Sequence, residues 1–255
     1  MDSPHLHIHA DHGILNHAVA TRLLQLARDA AKKRGSWHWA LAGGSTPKSL
    51  YELLASEPYA SQMPWERIHI WFGDERYVPA DDPRSNYRMA RETLLSKVPL
   101  ADAQVHPIPV SGADAPGDAH DYAELMRDLL PAGGGDMPVL DAILLGLGPD
   151  GHTASLFPET PILQVRDTAA AAVYVPKLSA WRISVTIPVI EQARHVLFLA
   201  AGEEKAPITA TLFGSDERPR SASRALPVQM INGRGEVEWH LDRRAAARLH
   251  RREQA

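Results

Sequence analysis

The sequence predicts an α/β protein: a mainly parallel β-sheet flanked by helices on both faces. Three observations predict it. Short apolar runs alternate along the chain with stretches of helical period. Runs such as Ala142-Ile-Leu-Leu145 and Val196-Leu-Phe-Leu-Ala-Ala201 lack a period-two pattern, as strands covered on both faces do. Polar, glycine-rich loops follow several of these runs, and ligands in such sheets sit beyond the carboxyl ends of the strands.

In chain order, the apolar run Leu6–His9 predicts a first strand and the helical pattern over Ile14–Arg34 a first helix. A strand at Trp39–Ala42 leads into a helix at Pro47–Leu54, where Ser45 or Thr46 supplies the cap and Pro47 takes the first helical position. The run IHIWF makes Ile68–Phe72 a strand, followed by helical patterning at Tyr87–Leu95, a strand at Val105–Pro109 and a helix at Ala119–Leu130. Strands at Ala142–Leu145, Ala172–Val175, Ile183–Ile187 and Val196–Ala200 come next, then a helix at Glu204–Leu212. The Gly/Pro-rich segments Ser111–Gly117 and Pro131–Pro138 are short enough to be surface loops, and no internal repeat is visible, so residues 1–255 are expected to form a single domain.

With 44% hydrophobic and 23% charged residues in 255, the chain is of ordinary globular composition. A formal net charge of −4 exerts no global pull on nucleic acid or anionic membrane, so any bound anion must be held by a local cluster. The chain has no cysteine, hence no disulfide and no thiolate metal site. The start Met1-Asp2-Ser3-Pro4-His5 lacks the basic and apolar regions of a signal peptide, and no apolar run approaches the length of a membrane span; a cytoplasmic location is expected.

Three loops carry polar chemistry. In Gly43-Gly44-Ser45-Thr46-Pro47 the glycines allow close backbone approach, and a helix N-terminus preceded by them suits a phosphate group. Ser45 does not fit a hydrolase nucleophile elbow, because Pro47 stands where G-x-S-x-G has its last glycine. In Gly73-Asp74-Glu75-Arg76-Tyr77, three consecutive charges after IHIWF cannot follow the strand into the core unpaired, so they are expected to mark its exit into a cleft or onto the surface. The segment continues to Arg84-Ser85-Asn86-Tyr87. The third loop, Gly146-Leu147-Gly148-Pro149-Asp150-Gly151-His152, has the spacing G-x-G-x-x-G. Pro149 removes a donor, and His152 stands where a dinucleotide fold wants small residues opening a helix. A neutral imidazole beside a carboxylate is instead suited to taking a proton from water near pH 7.

Taken in order, GGSTP, GDERYV with SNYRMA, and LGLGPDGHTASLFP strongly resemble the 6-phosphogluconolactonase family, within the glucosamine-6-phosphate isomerase/6-phosphogluconolactonase superfamily. Trp181-Arg182-Ile183-Ser184-Val185-Thr186 and Gly202-Glu203-Glu204-Lys205-Ala206 extend the likeness over nearly the whole chain. The resemblance implies hydrolysis of 6-phosphoglucono-1,5-lactone to 6-phosphogluconate in the oxidative pentose phosphate pathway, with no cofactor and no metal, and the fold shared with glucosamine-6-phosphate deaminases. It implies His152 as general base, oriented by Asp150. Arg76 or backbone N–H groups of the glycine-rich turns would stabilise the carbonyl oxygen. Gly43, Gly44, Ser45 and Thr46, with Arg182 and Lys205, match positions that hold the sugar phosphate, and Asp74 and Asn86 contact sugar hydroxyls or support the site.

Two rivals share the fold. The deaminase branch resembles D-G-H-x-A-F-N-E, whose Glu follows the His by five residues; Phe157 occupies that position here. Sugar-phosphate-sensing domains of transcription regulators need a DNA-binding segment, and there is no room for a helix-turn-helix before Leu6. The expected partner is therefore a small sugar-phosphate lactone, not nucleic acid or membrane. His5, His7 and His9 alternate, with His12 nearby, a pattern open to a transition metal; the stronger expectation is that Leu6 and Ile8 face the core and the histidines face solvent. The basic stretch Leu241–Arg252 has a helical pattern and is expected to be a solvated terminal helix.

Overall fold

The computed structural model describes residues 5–214 and 225–249. Its elements are β1 (His5–His9), α1 (His12–Arg34), β2 (Trp37–Leu41), α2 (Ser45–Leu54), α3 (Tyr59–Gln62), β3 (Ile68–Phe72), β4 (Asp74–Arg76), α4 (Asn86–Thr93), α5 (Ala115–Leu129), β5 (Ala142–Gly146), β6 (Ala170–Val175), β7 (Ala180–Val185), α6 (Ile187–Gln192), β8 (His195–Ala200), α7 (Ala206–Phe213) and β9 (Glu236–Asp242). Six strands form one sheet in the order β1-β9-β8-β5-β2-β3, every pair parallel. A separate antiparallel sheet, β4-β7-β6, grows from the end of β3. No helix among the described residues is long and apolar enough to cross a membrane.

The chain leaves β2 toward β3 on one side and returns to β5 on the other. The order therefore switches direction between β2 and β5, the place where a parallel sheet opens a crevice at its carboxyl edge. The core beneath that crevice is aromatic: Trp37 and Trp39 on β2, Trp71 on β3 and Phe198 on β8 are all buried. Two buried tyrosines fix where the strands stop. Tyr51 Oη donates to Ala42 O (2.8 Å) and accepts from Ala42 N (2.9 Å), and Tyr122 Oη does the same for Phe72 O and N (3.0 Å each). Each hydroxyl satisfies a backbone pair at the point where a loop departs.

Several expectations differ from what is observed. Val105–Pro109 forms no strand: Val105 makes a single parallel bridge to Ile70, and Pro107 and Pro109 have no N–H to extend the ladder. The segment Ile183–Ile187 is shifted, since the strand is Ala180–Val185 and Pro188 sits in the first turn of α6, which begins at Ile187. The strand β9 is not among the strands the sequence predicts, yet it lies inside the sheet between β1 and β8. Ile8 is 51% exposed, whereas His9 is half-buried and hydrogen-bonds His240 on β9, so β1 is an edge strand whose histidines lean on its neighbour. Finally, Leu241 and Asp242 end β9 and residues 243–248 are turns, held by Asp242 accepting from Ala245 N at 2.7 Å; Arg251 and Arg252 lie outside the described residues.

Candidate active site

The loops after β2, β3, β5 and β8 enclose a cavity of ≈ 240 Å³ at the switch point. Gly43, Gly44, Ser45, Thr46, Asp74, Arg76, His152 and Lys205 all line it. Asn86, Asp150 and Arg182 do not line it, and each acts on a residue that does.

Gly44 has φ +104, a conformation open to glycine, and it turns the chain so that α2 begins directly at Ser45. The first N–H groups of α2 have no intrahelical partner and face the cavity end of the sheet, a favourable setting for an anion. No side chain caps this helix: contrary to expectation Ser45 and Thr46 are its first two residues and Pro47 its third, with Gly44 in the cap position. A Cβ on Gly43 would meet Asn86 Oδ1 at 2.0 Å, so the glycine makes room for Asn86. Asn86 Nδ2 in turn donates to Asp74 O (2.9 Å) and Oδ1 (3.2 Å).

The three charges after β3 divide their work. Asp74 is buried and also accepts from Ser155 Oγ at 2.7 Å, which ties this loop to the one bearing His152. Glu75 goes into the interior, where it accepts from the N–H groups of Arg76, Asn86 and Tyr87 (2.7, 2.7 and 2.8 Å) and from Ser85 Oγ (3.0 Å). It is the anionic anchor of the α4 N-terminus. Burial raises its pKa although those donors oppose the rise. The expected exit to a cleft thus holds for Asp74 and Arg76 but not for Glu75, whose charge is buried and fully hydrogen-bonded. Arg76 donates from Nη1 to Arg84 O (2.7 Å). Arg182 stands opposite it across the β4–β7 ladder; burial first, and the neighbouring Arg76 charge second, lower its pKa.

No helix opens at Gly151, which excludes the dinucleotide geometry. The loop instead folds back tightly: Gly148 N donates to His152 O (2.8 Å), Gly151 N to Gly148 O (3.0 Å) and Thr153 Oγ1 to Gly146 O (2.8 Å). A Cβ on Gly148 would lie 2.0 Å from His152 Nδ1, so only glycine lets the imidazole cross there. His152 Nδ1 is 2.5 Å from Asp150 Oδ1. An ionised carboxylate only accepts, which places the proton on Nδ1 and leaves Nε2 with its lone pair. Among the described residues Nε2 has no hydrogen-bond partner, and the side chain is 26% exposed. Phe157 stacks beneath the ring with centroids 4.2 Å apart.

Lys177, on the turn between β6 and β7, is not among the residues the sequence singles out. Its Nζ bonds Asp150 Oδ2 and lies 4.7 Å from the Phe157 centroid. Burial pushes the Asp150 carboxyl up, but the hydrogen bonds from Lys177 and His152 outweigh it and hold the group at about 2. Nothing local in the sequence marks Lys177; only the fold brings it to Asp150. Ser155 was within reach of sequence reading, since it belongs to the same Gly151-His152-Thr153-Ala154-Ser155 stretch as the histidine.

Residues 10–239 match the family model described as glucosamine-6-phosphate isomerases/6-phosphogluconolactonase. A 6-phosphogluconolactonase from Synechocystis is 42% identical over 231 residues, covering 91% of this chain and 90% of that relative. The solved 6-phosphogluconolactonase of Trypanosoma brucei superposes with a TM-score of 0.85 at 32% identity, covering 97% of this chain and 99% of the other. A monomeric glucosamine-6-phosphate deaminase, 19% identical with a TM-score of 0.78 and covering 96% of this chain and 99% of its own, shares the fold.

Proposed function

This chain belongs to the glucosamine-6-phosphate isomerase/6-phosphogluconolactonase family, and from that premise we propose that it hydrolyses 6-phosphoglucono-1,5-lactone to 6-phosphogluconate in the pentose phosphate pathway, without a metal in the reaction. The observation that carries the reading is His152, whose Nδ1 is engaged by an ionised Asp150 while Nε2 is left open, among the described residues, in a cavity that also holds Arg76, Lys205 and the start of α2. Cytoplasmic carbohydrate metabolism is the setting this activity implies.

In the proposed reaction, His152 Nε2 takes a proton from water as the oxygen attacks the lactone carbonyl. Negative charge develops on the carbonyl oxygen, where Arg76, a charged donor lining the cavity, or backbone N–H groups of the glycine-rich turns would stabilise it. The tetrahedral intermediate collapses with cleavage of the bond to the ring oxygen. That oxygen takes the proton back from the imidazolium, giving a hydroxyl and a carboxylic acid, which ionises. Lys177 keeps Asp150 ionised and in place, so the imidazole stays in the tautomer the step requires. The phosphate would lie at the α2 N-terminus against Ser45, Thr46 and Lys205, with Arg182 reinforcing the positive field beside Arg76. The deaminase chemistry of the same family is disfavoured by Phe157, an apolar ring packed under His152 where that branch has a carboxylate.

The test is hydrolysis of freshly made 6-phosphogluconolactone, followed by proton release with the spontaneous rate subtracted. Acceleration that persists in EDTA is the expected result. No acceleration, or activity lost in EDTA and restored by zinc, overturns the proposal.

A further inference from the structure

The β1–β9 edge, separated by β8 from the strand that leads to His152, carries a second concentration of ligating side chains. On β9 the residues Glu236, Glu238 and His240 alternate and so share one face, and His7 of β1 is the register partner of His240. His240 and Glu238 are buried, and His7 is exposed at the edge. Donor atoms of His7, Glu238 and His240 all lie within 4.8 Å of one another.

The hydrogen bonds around this group are arranged as those of a metal centre are. His240 Nδ1 is 3.1 Å from His9 Nε2, which occupies one ring nitrogen and fixes the ring. The other nitrogen, Nε2, is buried without a hydrogen-bond partner, 3.6 Å from Glu238 Oε2. Two ligands of a tetrahedral ion with bonds of about 2.0–2.1 Å stand about 3.3 Å apart, so this pair already has nearly the required spacing. Arg22 of α1 donates from Nε to Glu238 Oε1 (2.9 Å) and from Nη2 to Glu236 Oε2 (2.7 Å). That clamp leaves Oε2 of Glu238 turned toward His240. It also occupies the neighbouring trio of His195, Glu236 and Glu238, and for that reason the first trio is the better site. His7 must move its side chain inward to complete the set, and its exposure on an edge strand permits this.

We propose that His7, Glu238 and His240 bind one divalent transition-metal ion, zinc best among them, with water in the remaining position. Two imidazoles and one carboxylate match a borderline ion and suit neither magnesium nor calcium, which take oxygen ligands. Arg22 holds Glu238 by Oε1 and so keeps the carboxylate fixed for a ligand bond from Oε2. The ion would tie the N-terminal strand to the strand beside it, and it takes no part in lactone hydrolysis.

Calorimetric titration of zinc into the tag-free, chelator-stripped full chain tests the site. One saturable ion per chain is expected, with affinity unchanged in His152→Ala and His5→Ala. His7→Ala and Glu238→Gln should each weaken it about 10–100-fold or more. At a hundredfold excess over Kd the melting temperature should rise by roughly 5–10 °C, and cobalt should give the visible absorption of a tetrahedral site. His7 is exposed, so His7→Ala remains informative even if Glu238→Gln does not fold. Absence of saturable binding, binding that survives His7→Ala, or binding lost equally in His5→Ala overturns the proposal.

Discussion

The two ends of strands β2 and β3 place histidines in opposite circumstances. At the carboxyl end, the site histidine, His152, is oriented by an ionised carboxylate and keeps one nitrogen open to a cavity. At the amino end, His38, His69 and His106 stack on one another and on Trp71, with His69 Nδ1 3.1 Å from His106 Nε2 and Trp71 Nε1 donating to His38 Nδ1 at 3.2 Å. Burial first, and the adjacent His69 second, push His38 and His106 down to about 4. The same side chain is the proposed base at one rim and a neutral packing ring at the other. What separates them is a carboxylate within hydrogen-bond distance of the ring and an open face; Asp141 near His38 bonds its backbone N–H instead.

The largest effect that tests this contrast is at the carboxyl rim. His152→Ala should lower kcat by about 10²–10⁴-fold while inhibition by 6-phosphogluconate is retained. Asp150→Asn should give a smaller loss, and a His152→Ala enzyme within threefold of wild type would remove the distinction and make Asp74 the next base to test. Asp150, held at about 2, is ionised across the working range, so an acidic limb of kcat should vanish in His152→Ala.

The cations at the same rim come next. Lys205→Ala should cost roughly 1.5–3 kcal/mol in kcat/KM for the phosphorylated lactone, the scale of a charge-assisted hydrogen bond, and Arg182→Ala, which acts through the field beside Arg76, should cost less. Glucono-1,5-lactone is the control; equal losses on both substrates would show that neither residue serves the phosphate. Lys177 should matter less. Its ion pair is half-exposed and worth about 0–1 kcal/mol, so Lys177→Met should lower kcat no more than about fivefold with KM unchanged, and Lys177→Arg should restore it. A change confined to KM would place Lys177 on the substrate instead of on Asp150.

The smallest effect belongs to the amino-terminal rim and appears in stability. Above about pH 6.5 the rings of His38 and His106 are neutral in both folded and unfolded chains. Between there and about 4 the unfolded chain takes up protons that the folded one refuses, so stability falls as pH falls through this window. Urea midpoints at pH 7 and pH 5 should differ more in wild type than in a His38→Gln, His106→Gln double variant. Identical pH dependence in the two would mean that these rings are not kept neutral by burial.

Most of the parallel sheet was legible because its strands are continuous apolar runs, and the cavity was legible because its lining residues sit in short contiguous loops. What escaped had a common physical origin in side chains whose environment is set by distant partners. The strand β9 reads Glu-Val-Glu-Trp-His-Leu-Asp, with its acids on the face that meets Arg22 and its apolar residues on the face where Trp239 stacks on Phe198; without knowledge of Arg22 it does not look buried. Glu75 looks solvent-bound until the N-terminus of α4 is placed around it. Lys177 is a lone lysine until the β6–β7 turn brings it to Asp150, and the histidines of β1 look like surface decoration until His240 arrives beside them.

The tyrosine clamps at Ala42 and Phe72 bear on how this rim opens. The last amides before the two loops are bonded to hydroxyls rooted in the core, so their exchange with solvent requires a tyrosine to leave its socket. Those two amides are therefore expected to exchange only in rare, large-scale openings of the core, a protection that hydrogen exchange would read directly.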